Sequence, residues 1–330
     1  MSTYKNKLKI LYILRILLEK SDDEHWLSVT NIIFELDKLG IKAERKSIYE
    51  DLKILQEYGI DVCRVRSKVH GYYIGERDFQ LPELRLLVDA VQSAKFITPK
   101  KSKELIEKLE HLTSVNLYKR IHEQTFINDR LKCLNEEIYY NIDKIHTAII
   151  NNKKISFNYY DYNLDKQRYL RGGGKKYNIS PYAMIWYDDD YYLVGNYSKY
   201  ENLSHYRIDR ICNVDVINED RRDFSTVSSY KNYFNAADYA KKIYSAFPGK
   251  IEKLRIRFRS DLINAVLDRF GMDVPIIKED NTFTIITEAV VSEGFLSWIF
   301  IFGNGAEILE PYDVREKVKQ RINSIIEIYK

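Results

Sequence analysis

The residues best suited to chemistry in this sequence are basic and aromatic rather than nucleophilic. Arg45, Lys46, Ser47, Tyr49 and Lys53 share a stretch whose apolar positions Ile48, Leu52 and Leu55 are spaced i, i+4, i+7. That spacing buries one side of a helix and turns the polar set outward. There, Arg and Lys pair with phosphates or guanine edges, and Ser and Tyr donate to phosphates. Arg64, Arg66, Lys68 and His70 follow around two strand-like runs, Val62 to Arg66 and Tyr72 to Ile74, joined by a turn from Ser67 to Gly71. A basic hairpin beside such a helix suits a wing lying on a nucleic-acid backbone or minor groove. Glu44, Glu50 and Glu57 on the same helix also fit an ordinary solvated surface.

Two further clusters lie downstream. Arg171-Gly172-Gly173-Gly174-Lys175-Lys176 sets glycines before lysines, but without the GxxxxGK[ST] spacing or a following helix of a phosphate loop. It reads as a flexible hairpin loop, or as a basic lid over an anionic ligand. The sequence holds 27 tyrosines, clustered at Tyr159-Tyr160-Asp161-Tyr162 and at Tyr187, Tyr191, Tyr192 and Tyr197. Such amphipathic rings serve a core, an interface or a stacking platform. Arg207 and Arg210 fall on a strand-like run where they face opposite ways. One of them offers a bidentate fork to a ligand while the other pairs with Asp209 or another carboxylate. Cys63, Cys133 and Cys212 are too far apart for a CxxC site and read as free cytosolic thiols, and the six histidines include no HExxH. With no nucleophile elbow, metal spacing or phosphate loop, no enzyme activity, metal or cofactor is expected.

The elements that must position these residues follow from periodicity. The chain has 330 residues, with 52 basic and 48 acidic side chains, hence a formal charge of +4. That weak excess excludes a histone-like polycation and an acidic tail. The densest apolar run, Phe295 to Phe302, is too short to span a membrane, and the N-terminus lacks a signal-peptide pattern, so a cytoplasmic protein is expected. Helical spacing is expected over 5–20, from Ser28 to Leu39, and from Glu44 to a stop at Gly59. Leu84, Leu87, Val88, Leu105 and Leu109 continue it through a helical connector over 77–150. Strand signals then dominate 155–222, with a turn at Asp188-Asp189-Asp190, which suggests a small barrel. Residues 223–253 are hard to place, apart from a helix over Ala236 to Phe247. After 253 the order strand, helix, two strands, helix, strand, helix describes an α+β unit.

In order along the chain, Arg45-Lys46-Ser47-Ile48-Tyr49-Glu50-Asp51-Leu52, Ser180-Pro181-Tyr182-Ala183, Tyr191-Tyr192-Leu193-Val194-Gly195, Tyr206-Arg207-Ile208-Asp209-Arg210-Ile211 and Trp298 to Gly303 with Glu310-Pro311 resemble the motifs of bacterial WYL-domain transcriptional regulators. Tyr191 stands where the family has its name-giving Trp, Glu50 where many relatives have Arg, and Ser204 where an Arg is frequent. The resemblance implies a winged helix-turn-helix over 1–76, the connector over 77–150, an Sm-like β-barrel sensor over 151–222 and a linker with a WCX-like α+β extension over 223–330. It implies a homodimeric regulator that binds double-stranded operator DNA and takes an anionic nucleotide or single-stranded nucleic-acid effector; repressor and activator readings both fit, and the repressor reading is preferred. The implied effector contacts are Tyr159, Ser180, Tyr182, Tyr191, His205, Tyr206 and Arg207. The Tyr-rich barrel and basic loop leave a second reading open, a single-strand or RNA-binding protein without operator specificity.

Overall fold

The computed structural model describes residues 3–66, 70–124 and 132–330. The chain divides into two compact units, Met1–Leu134 and Asn135–Lys330. In the first, α1 (Thr3–Lys20), α2 (Val29–Lys38) and α3 (Arg45–Tyr58) enclose Ile13, Leu17, Ile32, Leu36, Ile48, Leu52 and Leu55. Ser28 caps α2, its Oγ accepting from Asn31 N while the Asn31 side chain accepts from Ser28 N. Gly59 ends α3 at φ 104°, a left-handed position that costs glycine little. The chain then forms the antiparallel hairpin β1 (Val62–Val65) and β2 (Gly71–Ile74), in the register Val62↔Ile74 and Val65↔Gly71. Leu27 bridges to Tyr72 beside it, and Trp26 lies so close to Gly71 that a Cβ there would overlap its ring.

One ion pair ties α1 to α3. Lys9 and Asp51 are both buried, with Nζ 2.9 Å from Oδ2, and the same ammonium donates to Ser47 Oγ. Beyond the hairpin come α4 (Leu81–Ser93), α5 (Pro99–Glu110) and α6 (Val115–Gln124), which pack around Leu84, Val88 and Ile121. Polar contacts join these helices to the loop after α1. Ser114 Oγ donates to buried Asp22, Arg120 pairs with Glu24, and Arg77 Nη2 donates to Ser21 O at 2.6 Å.

The second unit opens with α7 (Ile138–Ile150), so the helical stretch over 77–150 divides between the two units. The strands are β3 (Lys153–Tyr162), β4 (Arg168–Leu170), β5 (Tyr177–Tyr187), β6 (Asp190–Tyr197), β7 (Ser204–Arg207) and β8 (Ile211–Asp220). They form one curled sheet of order β4-β3-β5-β6-β7, in which β8 pairs with β3. The β5–β6 hairpin turns at Asp188 and Asp189, both at positive φ, as the aspartate run predicts. Asn135 and Asn141 anchor α7 by donating to Ile211 O at 3.1 and 3.0 Å.

The helix expected from Ala236 to Phe247 is shorter, and α8 ends at Lys242. The backbone leaves helical geometry to bury Ile243 and Tyr244, and Ser245 and Ala246 follow at positive φ. The chain closes with β9 (Lys250–Arg259), α9 (Ile263–Phe270), β10 (Ile276–Lys278), β11 (Thr282–Val291), α10 (Glu293–Phe300), β12 (Ala306–Glu310) and α11 (Tyr312–Ile328). The sheet β10-β11-β9-β12 is antiparallel and packs Ile256, Phe258 and Ile285 against Phe295, Ile299 and Val314.

The Lys9–Asp51 pair makes a direct prediction. Lys9→Ala strands a buried carboxylate and should lower the unfolding free energy by about 3 kcal/mol. The apolar double variant Lys9→Met, Asp51→Leu should lose clearly less. Urea denaturation followed by circular dichroism measures both, and equal losses would refute a desolvation origin.

Candidate functional site

In the first unit the polar face of α3 lies opposite the apolar positions that bury it. Arg45, Lys46 and Lys53 are exposed, and Lys53 sits 3.4 Å from Glu57. Tyr49 is half-exposed, its ring edge-on to Tyr72 with centroids 6.4 Å apart. Ser47 is partly buried and engaged by Lys9, so its hydroxyl works inside the unit. Arg64 and Arg66 project from β1 and its end, and His70 is exposed just before β2. Lys68 lies outside the described residues. The exposed cations of α3 and of the hairpin therefore occur in one unit on two consecutive elements.

In the second unit the seven residues implied as effector contacts do not converge. Alternation along β7 sends His205 and Tyr206 to opposite faces. On the His205 side the segment over 223–243 covers the sheet. Tyr182 packs against Phe224 and Phe234 and donates to Arg222 O at 2.9 Å, and Ser180 Oγ accepts from Arg222 N at 2.9 Å. His205 Nε2 is 2.9 Å from the hydroxyl of buried Tyr239. Burial drives the His205 pKa down to about 4 and the Tyr182 pKa up to about 12, so both are neutral there. Tyr191 is half-buried, and burial raises its pKa.

Arg207 ends its strand, and Ile208–Arg210 forms a tight turn instead of continuing it. Opposite faces therefore do not decide the roles of the two arginines. The Arg207 guanidinium lies 2.6 Å from Asp190 and 2.8 Å from Asp209. Burial opposes its charge, but the Asp209 hydrogen bonds and both carboxylates hold its pKa above the ordinary value. Arg210 pairs more loosely with Asp161, at 3.4 Å. Arg207 is thus the better-paired of the two, the reverse of its expected part as the ligand-binding one.

The Tyr206 face is different. Tyr159, Tyr206, Tyr177, Tyr197 and Tyr200 form a run of ring contacts with successive centroids 5.7, 6.2, 5.8 and 5.8 Å apart. It begins at buried Tyr159 and ends at exposed Tyr200. Cations line it: Arg171 stands 4.7 Å over Tyr159, and Lys175 and Lys199 lie 5.8 and 6.0 Å from the Tyr197 ring. The hydrogen bond from Lys175 lowers the Tyr197 pKa. The glycines that looked merely flexible shape this edge, since Gly172, Gly173 and Gly174 all take positive φ and turn Arg171 and Lys175 onto the rings. The chemistry of this edge suits a planar anion, with the Tyr197 and Tyr200 rings as a stacking surface and the lysines as a source of positive charge. Tyr177, Tyr200 and Lys199 are the residues that sequence reasoning missed. The basic loop and the clustered tyrosines were the signals, but which strands pair is not written in spacing. Among the described residues, no His, Cys, Asp and Glu cluster suits a metal, and no helix is long and apolar enough to cross a membrane.

The buried imidazole sets a pH dependence. The unfolded ring takes its proton near its ordinary 6.5, the folded one only near 4. The unfolded chain therefore binds more protons between those values. The His205 contribution is complete above the upper value and is lost as pH falls toward the lower one, by about 3 kcal/mol. Urea midpoints at about pH 7 and about pH 5 should differ more in the wild type than in His205→Gln. An identical difference in both would overturn the assignment.

Comparison with known proteins places two families on the second unit. The WYL domain matches residues 140–216 and the WCX domain residues 250–326, upholding the resemblance read from the motifs. An uncharacterized HTH-type transcriptional regulator of Bacillus subtilis (strain 168), YobV, is 23% identical over 308 residues, covering 86% of this chain and 89% of that protein. Among solved structures, proteasome accessory factor B/C of Arthrobacter aurescens is 14% identical with a TM-score of 0.29, over 98% of this chain and 49% of that one, so this chain spans about half its length. A CRISPR Cas-related protein is 14% identical with a TM-score of 0.34, over 99% of this chain and 85% of that one. Superpositions this loose carry no argument about fold or function.

Proposed function

We propose that this chain, which carries a WYL domain followed by a WCX domain, is a DNA-binding transcriptional regulator. In this reading α2, α3 and the β1–β2 hairpin are a winged helix-turn-helix. The first turns of α3 enter the major groove, and the hairpin lies on the flanking backbone. Two copies bind two half-sites as a cytoplasmic homodimeric repressor. The WYL sheet, an Sm-like barrel, senses an anionic or nucleic-acid effector whose differential binding shifts DNA affinity. The protein works by binding, without catalysis or a cofactor.

One observation carries the reading: α3 buries Ile48, Leu52 and Leu55 while exposing Arg45, Lys46 and Lys53 ahead of a hairpin that carries Arg64, Arg66 and His70. The weak overall charge of +4 is no obstacle, because the positive surface need only be local. Ser47 drops out as a contact because Lys9 holds it. In the sensor, the contacts move from Tyr182, His205 and Arg207, which are covered or paired, to Tyr197, Tyr200, Lys175 and Lys199. The Tyr197–Tyr200 edge equally supports the second reading, a single-strand or RNA-binding protein, because stacking on such rings tolerates any base.

Fluorescence anisotropy on duplex from upstream of the protein's own gene, with random-duplex and single-strand competitors across a salt series, separates the two readings. Binding that survives random duplex supports the regulator. Preference for single strands over every duplex supports the alternative. Arg45→Ala, at the margin of the helix face, should weaken duplex binding and lower the salt slope by about 1, and Lys46→Ala should weaken duplex binding; unchanged affinity in both, with an unchanged slope in Arg45→Ala, removes α3 from the interface. Lys175→Ala combined with Lys199→Ala should weaken a single-stranded oligonucleotide at least about tenfold while sparing duplex. Equal loss on both nucleic acids would sink the separate sensor site.

A further inference from the structure

We propose that Glu50 is a specificity-determining residue of α3 that selects a cytosine in each half-site. The inference rests on α3 being the DNA-reading helix. At 3.6 residues per turn, Lys46, Glu50, Lys53 and Glu57 run along the middle of its exposed side. Ile48, Asp51, Leu52 and Leu55 fix that side by burying the other. Arg45 and Tyr49 flank the stripe on one edge and Ile54 on the other. When such a helix enters a major groove, the middle of its face meets base edges and its margins meet the phosphate walls.

The stripe alternates in sign, and its two halves differ. Lys53 and Glu57, four apart, pair at 3.4 Å. Lys46 and Glu50 have the same spacing, yet no ion pair among the described residues engages either of them. Both stay exposed, in the N-terminal half of the helix, which reaches deepest into a groove.

A carboxylate has no donor and is repelled by every phosphate, so Glu50 cannot serve as a backbone contact. The major groove offers it one well-suited partner, the exocyclic amino group of cytosine, with guanine O6 and N7 the matching partners of Lys46. Glu50 therefore weakens binding to arbitrary duplex and restores it where a cytosine amino group stands opposite. That trade gives discrimination in place of affinity.

The test is selection by the full chain from a pool of duplexes with a randomised interior, in parallel for wild type, Glu50→Gln and Glu50→Ala. Glu50 is exposed, and circular dichroism verifies that each variant is folded. The wild type should enrich one cytosine column per half-site, other bases there binding about tenfold weaker. Glu50→Gln should move that column toward adenine, the base a side-chain amide reads, a change that a merely solvated residue would not produce. Glu50→Ala should flatten the column and strengthen random-duplex binding about threefold with an unchanged salt slope, since no phosphate contact is lost. The same cytosine column in all three proteins, or a wild-type site with no cytosine column, overturns the proposal and leaves α3 as the reading helix. Failure of the wild type to enrich any sequence, together with unchanged duplex binding in Arg45→Ala and Lys46→Ala, overturns the reading of α3 itself.

Discussion

Successive side chains on a β-strand point to opposite faces, and the β3–β8 sheet of the second unit is organised by what covers each face. At His205 and Tyr206 the alternation separates two environments within one step of the chain. His205 enters a closed aromatic layer with Tyr182, Phe234 and Tyr239, where burial keeps the imidazole neutral. Tyr206 joins a run of rings that climbs to the surface at Tyr197 and Tyr200. The covered face supplies cohesion and the open one supplies contact area.

Charge is handled differently in the two environments. Arg207, at the end of β7, is held by Asp190 and Asp209, and Arg171, at the buried end of the tyrosine run, by Asp161, so each guanidinium already has a carboxylate partner. At the open edge Lys175 and Lys199 approach tyrosine rings, whose faces attract a cation without neutralising it. A cation resting on a ring keeps most of its field for an incoming anion, whereas a bidentate carboxylate partner does not.

The first unit follows the same economy. Lys9 and Asp51 meet in a dry place between α1 and α3, a pair whose main effect is positional, since desolvation consumes much of its Coulomb attraction. It ties the buried side of α3, which also carries Ile48, Leu52 and Leu55, to α1. Trp26 against Gly71 holds the hairpin beside the helices by a contact that only a glycine admits. Short-range spacing gives α3 its amphipathic face, and these long-range contacts decide how that face is presented.

Much of the architecture was legible in the sequence because it depends on local periodicity. The apolar positions of α3, the glycine that ends it, the aspartate turn before β6 and the strand and helix order after residue 253 all follow from patterns spanning a few residues. The motifs of the WYL and WCX domains were legible too, and the domain matches uphold them. Pairing and cover were not legible. Nothing in the spacing of Tyr177, Tyr197 and Tyr200 says that their rings meet, because that depends on the register of strands distant in sequence. Nothing around Arg207 says that Asp190 reaches it across a hairpin, or that residues 223–243 close over Tyr182 and His205. The sequence by itself determined which elements form and which residue types they carry. Only the tertiary structure decided which of those residues stay open to a ligand, because burial and charge pairing belong to contacts between distant segments.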